Sequence, residues 1–279
     1  VADSDAGDDL CERSTEQEAQ DNLRLVLLMC AAGELRCSQK TKRPTAATVR
    51  TVGWRLVGGD FYAEDPIAAF SWPLLIMAGG LARLNGSHLV LTAKGRVALN
   101  APPFEVLRGL WQRWISHGLI DEFSRVDQIK GQRSANVLTA VKPRREVVAR
   151  AVGRLPPGEW VTVDSLFARM RRGRLSPQIT RSDRALFKLH VGHPEYDSFG
   201  YSDVNSWVLA EGRYTLAVLF EYAATLGLID ISYTSPIGAR QDWPDYWCAG
   251  ELESLSRYDG LTSVRLNGLG SCIVSNDEA

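Results

Sequence analysis

Four arginines, Arg169, Arg171, Arg172 and Arg174, fall within six residues, and Arg181 and Arg184 follow soon after. Guanidinium groups held this close repel one another, so the cluster costs stability unless an anion neutralises it. Phosphate suits them, because its oxygens match the planar fork of N–H donors. Arg169 and Arg172, three residues apart, share one face of a helix. A second set of bases, Lys40, Lys42, Arg43 and Arg50, is joined further on by Lys94 and Arg96. These twelve side chains are the candidate nucleic-acid-binding residues. The alternatives are a docking surface for the chain's own acidic segments and a plainly solvated face.

The net charge of −1 over 279 residues conceals this pattern. Residues 1–21 hold eight acids and one base, residues 22–188 hold 27 bases and 12 acids, and residues 189–279 hold 13 acids and four bases. At physiological salt the Debye length is ~8 Å, so separated blocks of opposite sign do not cancel locally. The middle of the chain therefore behaves as a basic protein, and basic blocks of this size usually face polyanions.

Catalytic patterns are sparse. The five cysteines, at positions 11, 30, 37, 248 and 272, form no Cys-x-x-Cys pair, which disfavours a zinc module or a disulfide framework. His190 and His193 are spaced like a metal pair with Asp197, but no further ligand stands at suitable spacing. There is no Gly-x-Ser-x-Gly nucleophile elbow, and the glycine-rich run around Gly79 and Gly80 lacks the strand-then-helix context of a phosphate loop. The expectation is a protein without catalytic residues, metal or cofactor. No apolar run reaches the ~20 residues of a membrane helix. The acidic start is unlike a secretory or transit signal, so a cytoplasmic location is expected.

The elements that must position the bases follow from apolar spacing. Residues 1–21 read as an acidic, disordered tail. Leu23, Val26, Leu27 and Cys30 mark one face of a helix that Gly33 can end. A short strand is expected at 34–38. A helix after Pro44 has Val49, Val52, Trp54 and Leu56 as its apolar positions, and another starts at Asp65-Pro66, with Pro73 kinking it or Ser71 restarting it. Asn85-Gly86 is a strong hairpin signal between 81–84 and 88–92, with Lys94 and Arg96 at its base. Helix, strand, helix, helix, hairpin is the order of a winged helix.

The same order returns after a connector at 101–142, where Pro102-Pro103 opens a helix and polar 124–136 reads as a linker. Val148, Ala151, Val152 and Leu155 mark a helix, 160–163 a strand, Asp164 a cap, and 212–226 a third helix. Leu228–Tyr233 and Leu261–Leu266 make a longer second wing. Both third helices are too apolar to read bases, which needs Arg, Asn or Gln at base edges. Cys30 and Cys272 read as core. Trp54, Trp72, Trp111, Trp114, Trp160 and Trp207 fit packing between elements, whereas Tyr196, Phe199, Tyr201, Trp243, Tyr246 and Trp247 suit a stacking or partner surface.

Gly80-Leu81, Leu91-Thr92-Ala93-Lys94-Gly95, Pro102-Pro103 and the pair Trp111 and Trp114 carry a family likeness. The later Trp207, Glu211-Gly212-Arg213, the run 226–230 and the run 264–270 repeat it. The sequence resembles the winged-helix modules of actinobacterial helicase-associated proteins, akin to the N-terminal region of XPB-type helicases. The resemblance implies tandem winged helices that accompany DNA-processing machinery, with a helicase or another protein of a larger assembly as partner. Walker motifs are missing, so helicase activity is not implied.

The sequence thus reads as an α+β, helix-rich chain. It has a first winged-helix unit at 22–100 and a second at 143–274, and it reads as one part of a larger protein. The expected function is non-enzymatic DNA binding, to duplex or single strand, through phosphates and with little base specificity. A protein-interaction module on the same scaffold is the alternative.

Overall fold

The computed structural model describes residues 10–132, 136–201, 207–240, 242 and 252–275. The fold is mixed α+β and rich in helix. Helix α1 (Glu16–Ala31) buries Leu23, Val26, Leu27 and Cys30 as its spacing predicts. The strand-like segment at Leu35–Cys37, helix α2 (Ala46–Arg55) and helix α3 (Ala68–Ala78) come next. They lead into the hairpin of β2 (Ala82–Asn85) and β3 (His88–Leu91) and then the short helix α4 (Ala93–Ala98). Helix α5 (Pro103–Ser116) connects to the second half. There α6 (Val141–Gly153), strand β4 (Trp160–Thr162) and helix α7 (Val163–Arg172) are followed by the short helix α8 (Asp183–Leu186). Helix α9 has an α-helical centre, Arg213–Ala217, between π-helical stretches at Val208–Gly212 and Val218–Ala224. Strands β5 (Ile229–Tyr233) and β6 (Leu261–Leu266) and helix α10 (Gly268–Val274) complete the described chain. No helix among the described residues is long and apolar enough to cross a membrane.

The internal repeat is visible bond by bond. Helix α3 ends at Gly80 (φ +72°) and α9 at Gly227 (φ +75°), each in the left-handed conformation that glycine reaches without a Cβ penalty. The next residues close the helix ends alike, Leu81 N–H on Ile76 O and Leu228 N–H on Ala223 O, both at 2.9 Å. Thr92 Oγ1 donates to Gly80 O at 2.8 Å and Asn267 Nδ2 to Gly227 O at 2.9 Å. The same two side chains accept from the third amide of the following helix, Gly95 N–H and Gly270 N–H. Each is an N-cap that also ties the second hairpin strand to the preceding helix. Thr45 and Thr162 cap α2 and α7 in the same paired way.

Several expectations need correction. Residues 10–21 are not a disordered tail: β1 (Cys11–Arg13) pairs with β5, and α1 begins at Glu16. Residues 1–9 lie outside the described residues. The 124–136 segment is no free linker among its described residues, because Val126 and Ile129 enter the core. The second hairpin does not project as a wing. Its strands sit in a four-stranded antiparallel sheet ordered β1-β5-β6-β4, and all five residues of β5 are buried. Asp60, not Asp65, caps α3, its carboxylate accepting from the amides of Ile67, Ala68 and Ala69. The helix runs through Pro73, while Ser71 Oγ bonds back to Ile67 O rather than starting a new turn. Thr162 rather than Asp164 caps α7.

The two halves are not separate bodies. One apolar cluster runs from Ala19 to Ile273, and α3 packs against α9. Trp111, Trp114 and Tyr222 stack in series at this junction, with centroids 5.2 and 4.4 Å apart. Buried ion pairs bind the connecting segment to α6 and α9 of the second half. Arg145 meets Glu122 at 2.6 Å, and Arg125 meets Glu221 at 3.0 Å. Arg213 in α9 meets Asp259 at 3.0 Å and also Asp242. Such pairs contribute little net stability, but losing one partner strands a buried charge.

Candidate nucleic-acid interface

The arginines divide into two populations. Arg13, Arg125, Arg144, Arg145, Arg213, Arg240 and Arg257 have side chains at most 13% exposed, and each faces a carboxylate within 4 Å. None of the twelve candidate residues pairs with a carboxylate among the described residues. Ten of them are exposed, and Lys42 and Arg43 are half-buried.

The largest local group lies at the C-terminal end of α7. Arg169, Arg171 and Arg172 occupy its last turn, and Arg174 follows with φ +53°. A helix C-terminus carries partial negative charge, which offsets part of the repulsion among these cations. Arg154, just past α6, joins them: its Nη1 lies 3.7 Å from the place a Cβ on Gly173 would occupy. Arg150 is one turn earlier and also exposed. Sequence spacing does not point to Arg154, which stands between Gly153 and Leu155, and only the fold brings it to the end of α7. Arg171 also borders a cleft of ≈ 650 Å³ with Asp164, Arg240, Asp242 and Asp259. There Arg240 pairs with Asp164, and Asp259 is committed to Arg213 and Ser256.

The remaining candidates sit in other places. Lys40, Lys42 and Arg43 form a turn closed by Ser38 N–H on Arg43 O, and Arg43 donates to Ser124 Oγ at 2.6 Å. Arg50 is exposed on α2 and borders a groove of ≈ 990 Å³. Lys94 and Arg96 do not stand on the hairpin. They belong to α4, where Lys94 Nζ donates to Gly79 O and Arg96 Nη1 to Leu91 O, both at 3.2 Å. Arg181 donates to Leu138 O at 2.8 Å, and Arg184 is exposed on α8.

The third helices, too apolar to read bases, are core elements. Ten of the eleven residues of α3 are buried, and Arg213 and Tyr214, in the α-helical centre of α9, are wholly buried. No set of three or more possible metal ligands gathers among the described residues. Asp197 is buried and accepts from His193 N–H within its own loop. Among the aromatics assigned to a surface, Tyr196 is exposed and Phe199 is buried, while the side chains of Tyr201, Trp243, Tyr246 and Trp247 lie outside the described residues. Of those assigned to packing, Trp72, Trp111 and Trp114 are buried, but Trp54 is 88% exposed. Cys272, expected in the core, is exposed on α10.

Comparison with protein-family models, with curated proteins and with solved structures returned no match.

Proposed function

We propose that this protein is a non-enzymatic nucleic-acid-binding module that grips the phosphate backbone. The exposed arginines at the end of α7, with Arg154 beside them, form its main contact. One observation carries the reading: the buried arginines are matched to carboxylates and exposed Arg55 and Lys142 pair with Glu34 and Glu146, whereas none of the twelve candidate arginines and lysines has such a partner among the described residues. Unpaired surface cations in groups are what a polyanion needs and what a packed fold does not. Each half has the element order of a winged helix, and we read the chain as two such units fused through their third helices. With both of those helices buried, base-edge reading has no helix to use. Recognition then rests on phosphates, with low sequence specificity. The family likeness noted in the sequence favours a place in a larger DNA-processing assembly.

A titration of random duplex at two salt concentrations tests this. Affinity should fall with log K dropping by ~0.9 per phosphate neutralised for each log unit of salt. Absence of a complex at low salt would overturn the reading and favour a protein-interaction role.

A further inference from the structure

We propose that the groove between α2 and the 59–70 segment is a nucleotide site, taking a base on Trp54 and its phosphate at Arg50 and Arg125. This rests on the nucleic-acid reading only for the source of the nucleotide; the groove itself supplies the chemistry. Its volume, ≈ 990 Å³, is that of a small-molecule site. Trp54 borders it with 88% of its surface exposed, one helical turn from Arg50. A tryptophan so bare has an unused aromatic face, and stacking on such a face is tolerant of base identity.

The floor supplies anion-binding groups. Arg125 is 7% exposed and lies over the Phe70 ring at 3.6 Å from its centroid, and both residues line the groove. Its Nε is spent on Glu221, but its Nη2 has no partner. Arg257, also on the lining, pairs with Asp65 and Asp127 through its terminal nitrogens and leaves its buried Nε without an acceptor. Two orphan guanidinium donors beside one groove are unusual, because buried donors are nearly always satisfied. A ligand with several acceptor oxygens is the simplest group that supplies what they lack.

Carboxylates also line this groove, and they decide how strongly an anion is opposed. Asp60 is turned toward the start of α3, its oxygens taken by the amides of Phe61, Ile67, Ala68 and Ala69. Asp65 is matched by Arg257. Arg257 is shared with Asp127 as well, and Glu64 pairs with no cation among the described residues but is exposed, where water screens it. The lining carries no net positive charge, so an anion would be held by Arg50 and by the unmet donors of Arg125 and Arg257.

The test uses the full chain, with adenosine 5′-monophosphate and a short thymidine oligonucleotide as probes. Trp54 fluorescence is read as the difference between wild type and W54F, a change at an exposed position that leaves the fold intact. Saturable quenching in wild type that is lost in W54F is the expected result, with adenosine lacking its phosphate binding about tenfold or more weakly. Quenching by the monophosphate identifies a free nucleotide as a source, and quenching by the oligonucleotide alone identifies a strand. Random duplex, titrated alongside, should bind both proteins equally. Duplex binding without quenching by either probe overturns this proposal and leaves the phosphate-grip reading standing. Quenching without duplex binding does the reverse. Equal quenching in W54F, or equal affinity for adenosine, also overturns it.

Discussion

Gly95 lies against the carbonyl oxygen of Leu81 so closely that a Cβ on it would collide with that oxygen, and Gly270 meets Leu228 in the same way. Each glycine is the third residue of the helix after the hairpin, and each leucine is the residue that closes the helix before it. The close approach lets the second strand's cap, Thr92 or Asn267, reach back to both elements at once. The two hairpins therefore share a steric requirement along with a sequence likeness.

G95A and G270A should each lower stability by about 1–3 kcal/mol, since backbone must move to admit the methyl group. G53A is the control. Gly53 lies inside α2, and a Cβ there meets only Ala69 Cβ at ordinary contact distance, 3.6 Å. That substitution should be neutral or stabilise by about 0.5–1 kcal/mol through helix propensity. Urea midpoints for the three variants check the contrast. Equal effects at positions 53 and 95 would count against the paired contact.

The sequence carried the repeat because its marks are local. A glycine ends each third helix, and Thr-x-x-Gly or Asn-x-x-Gly follows each hairpin. What it did not carry was how the copies meet. The buried faces of α3 and α9 both read as apolar helices, and nothing in a single-chain pattern states that they pack on each other. Residues 10–21 looked disordered by composition, yet Arg13 reaches the carbonyl oxygens of Gly59 and Asp60, and Thr15 bonds Asp230, contacts that are distant in sequence. Trp54 could have been placed correctly. Val49, Val52 and Leu56 are three and four apart and form the inner stripe of α2, and Trp54 falls off that stripe. The unpaired basic residues are legible in the sequence, but the contribution of Arg154 depends on the fold bringing it beside Gly173, just past α7.

Charge reversal at the end of α7 separates a phosphate contact from a solvated face. R169E/R171E/R172E should fold as wild type, because all three side chains are exposed. Its affinity for random duplex should collapse at low salt. If each arginine neutralises one phosphate, a milder triple change to glutamine should reduce the slope of log K against log salt by roughly 2.7. Unchanged binding by the reversed protein would remove α7 from the interface. R154E should weaken binding in the same direction and by a smaller amount.

Thiol reactivity should sort by position. Burial pushes the Cys30 thiol up to about 11 and the Cys37 thiol up to about 12, with Cys30 adding to the second shift. The thiolate is the reactive form, so both should resist alkylation at pH 8 in the folded protein. Cys11 and Cys272 are exposed and should be modified first. Peptide mapping by mass spectrometry after brief iodoacetamide treatment reads this directly. Early labelling of Cys37 would show that the packing around the Leu35–Cys37 segment opens readily.

Glu211 gives the protein a pH dependence of definite sign. It stands in the first turn of α9, where burial raises its carboxyl from 4.5 to about 7, against the opposing pull of the Ile179 and Glu211 backbone amides and of Arg144. The folded state therefore holds a proton that the unfolded state releases between pH 4.5 and 7. Its contribution to stability is complete below pH 4.5 and is lost as pH rises through 7, a change on the order of 3 kcal/mol. Glutamine keeps the carbonyl oxygen that accepts from Ile179 N–H and cannot ionise. E211Q should match wild type at pH 4.5 and exceed it in stability at pH 8, which removes the contribution of other carboxylates by difference. Denaturant midpoints at half-unit steps across this range measure it. Parallel curves for the two proteins would mean that Glu211 is ionised in the fold throughout, with Arg144 rather than burial governing its charge.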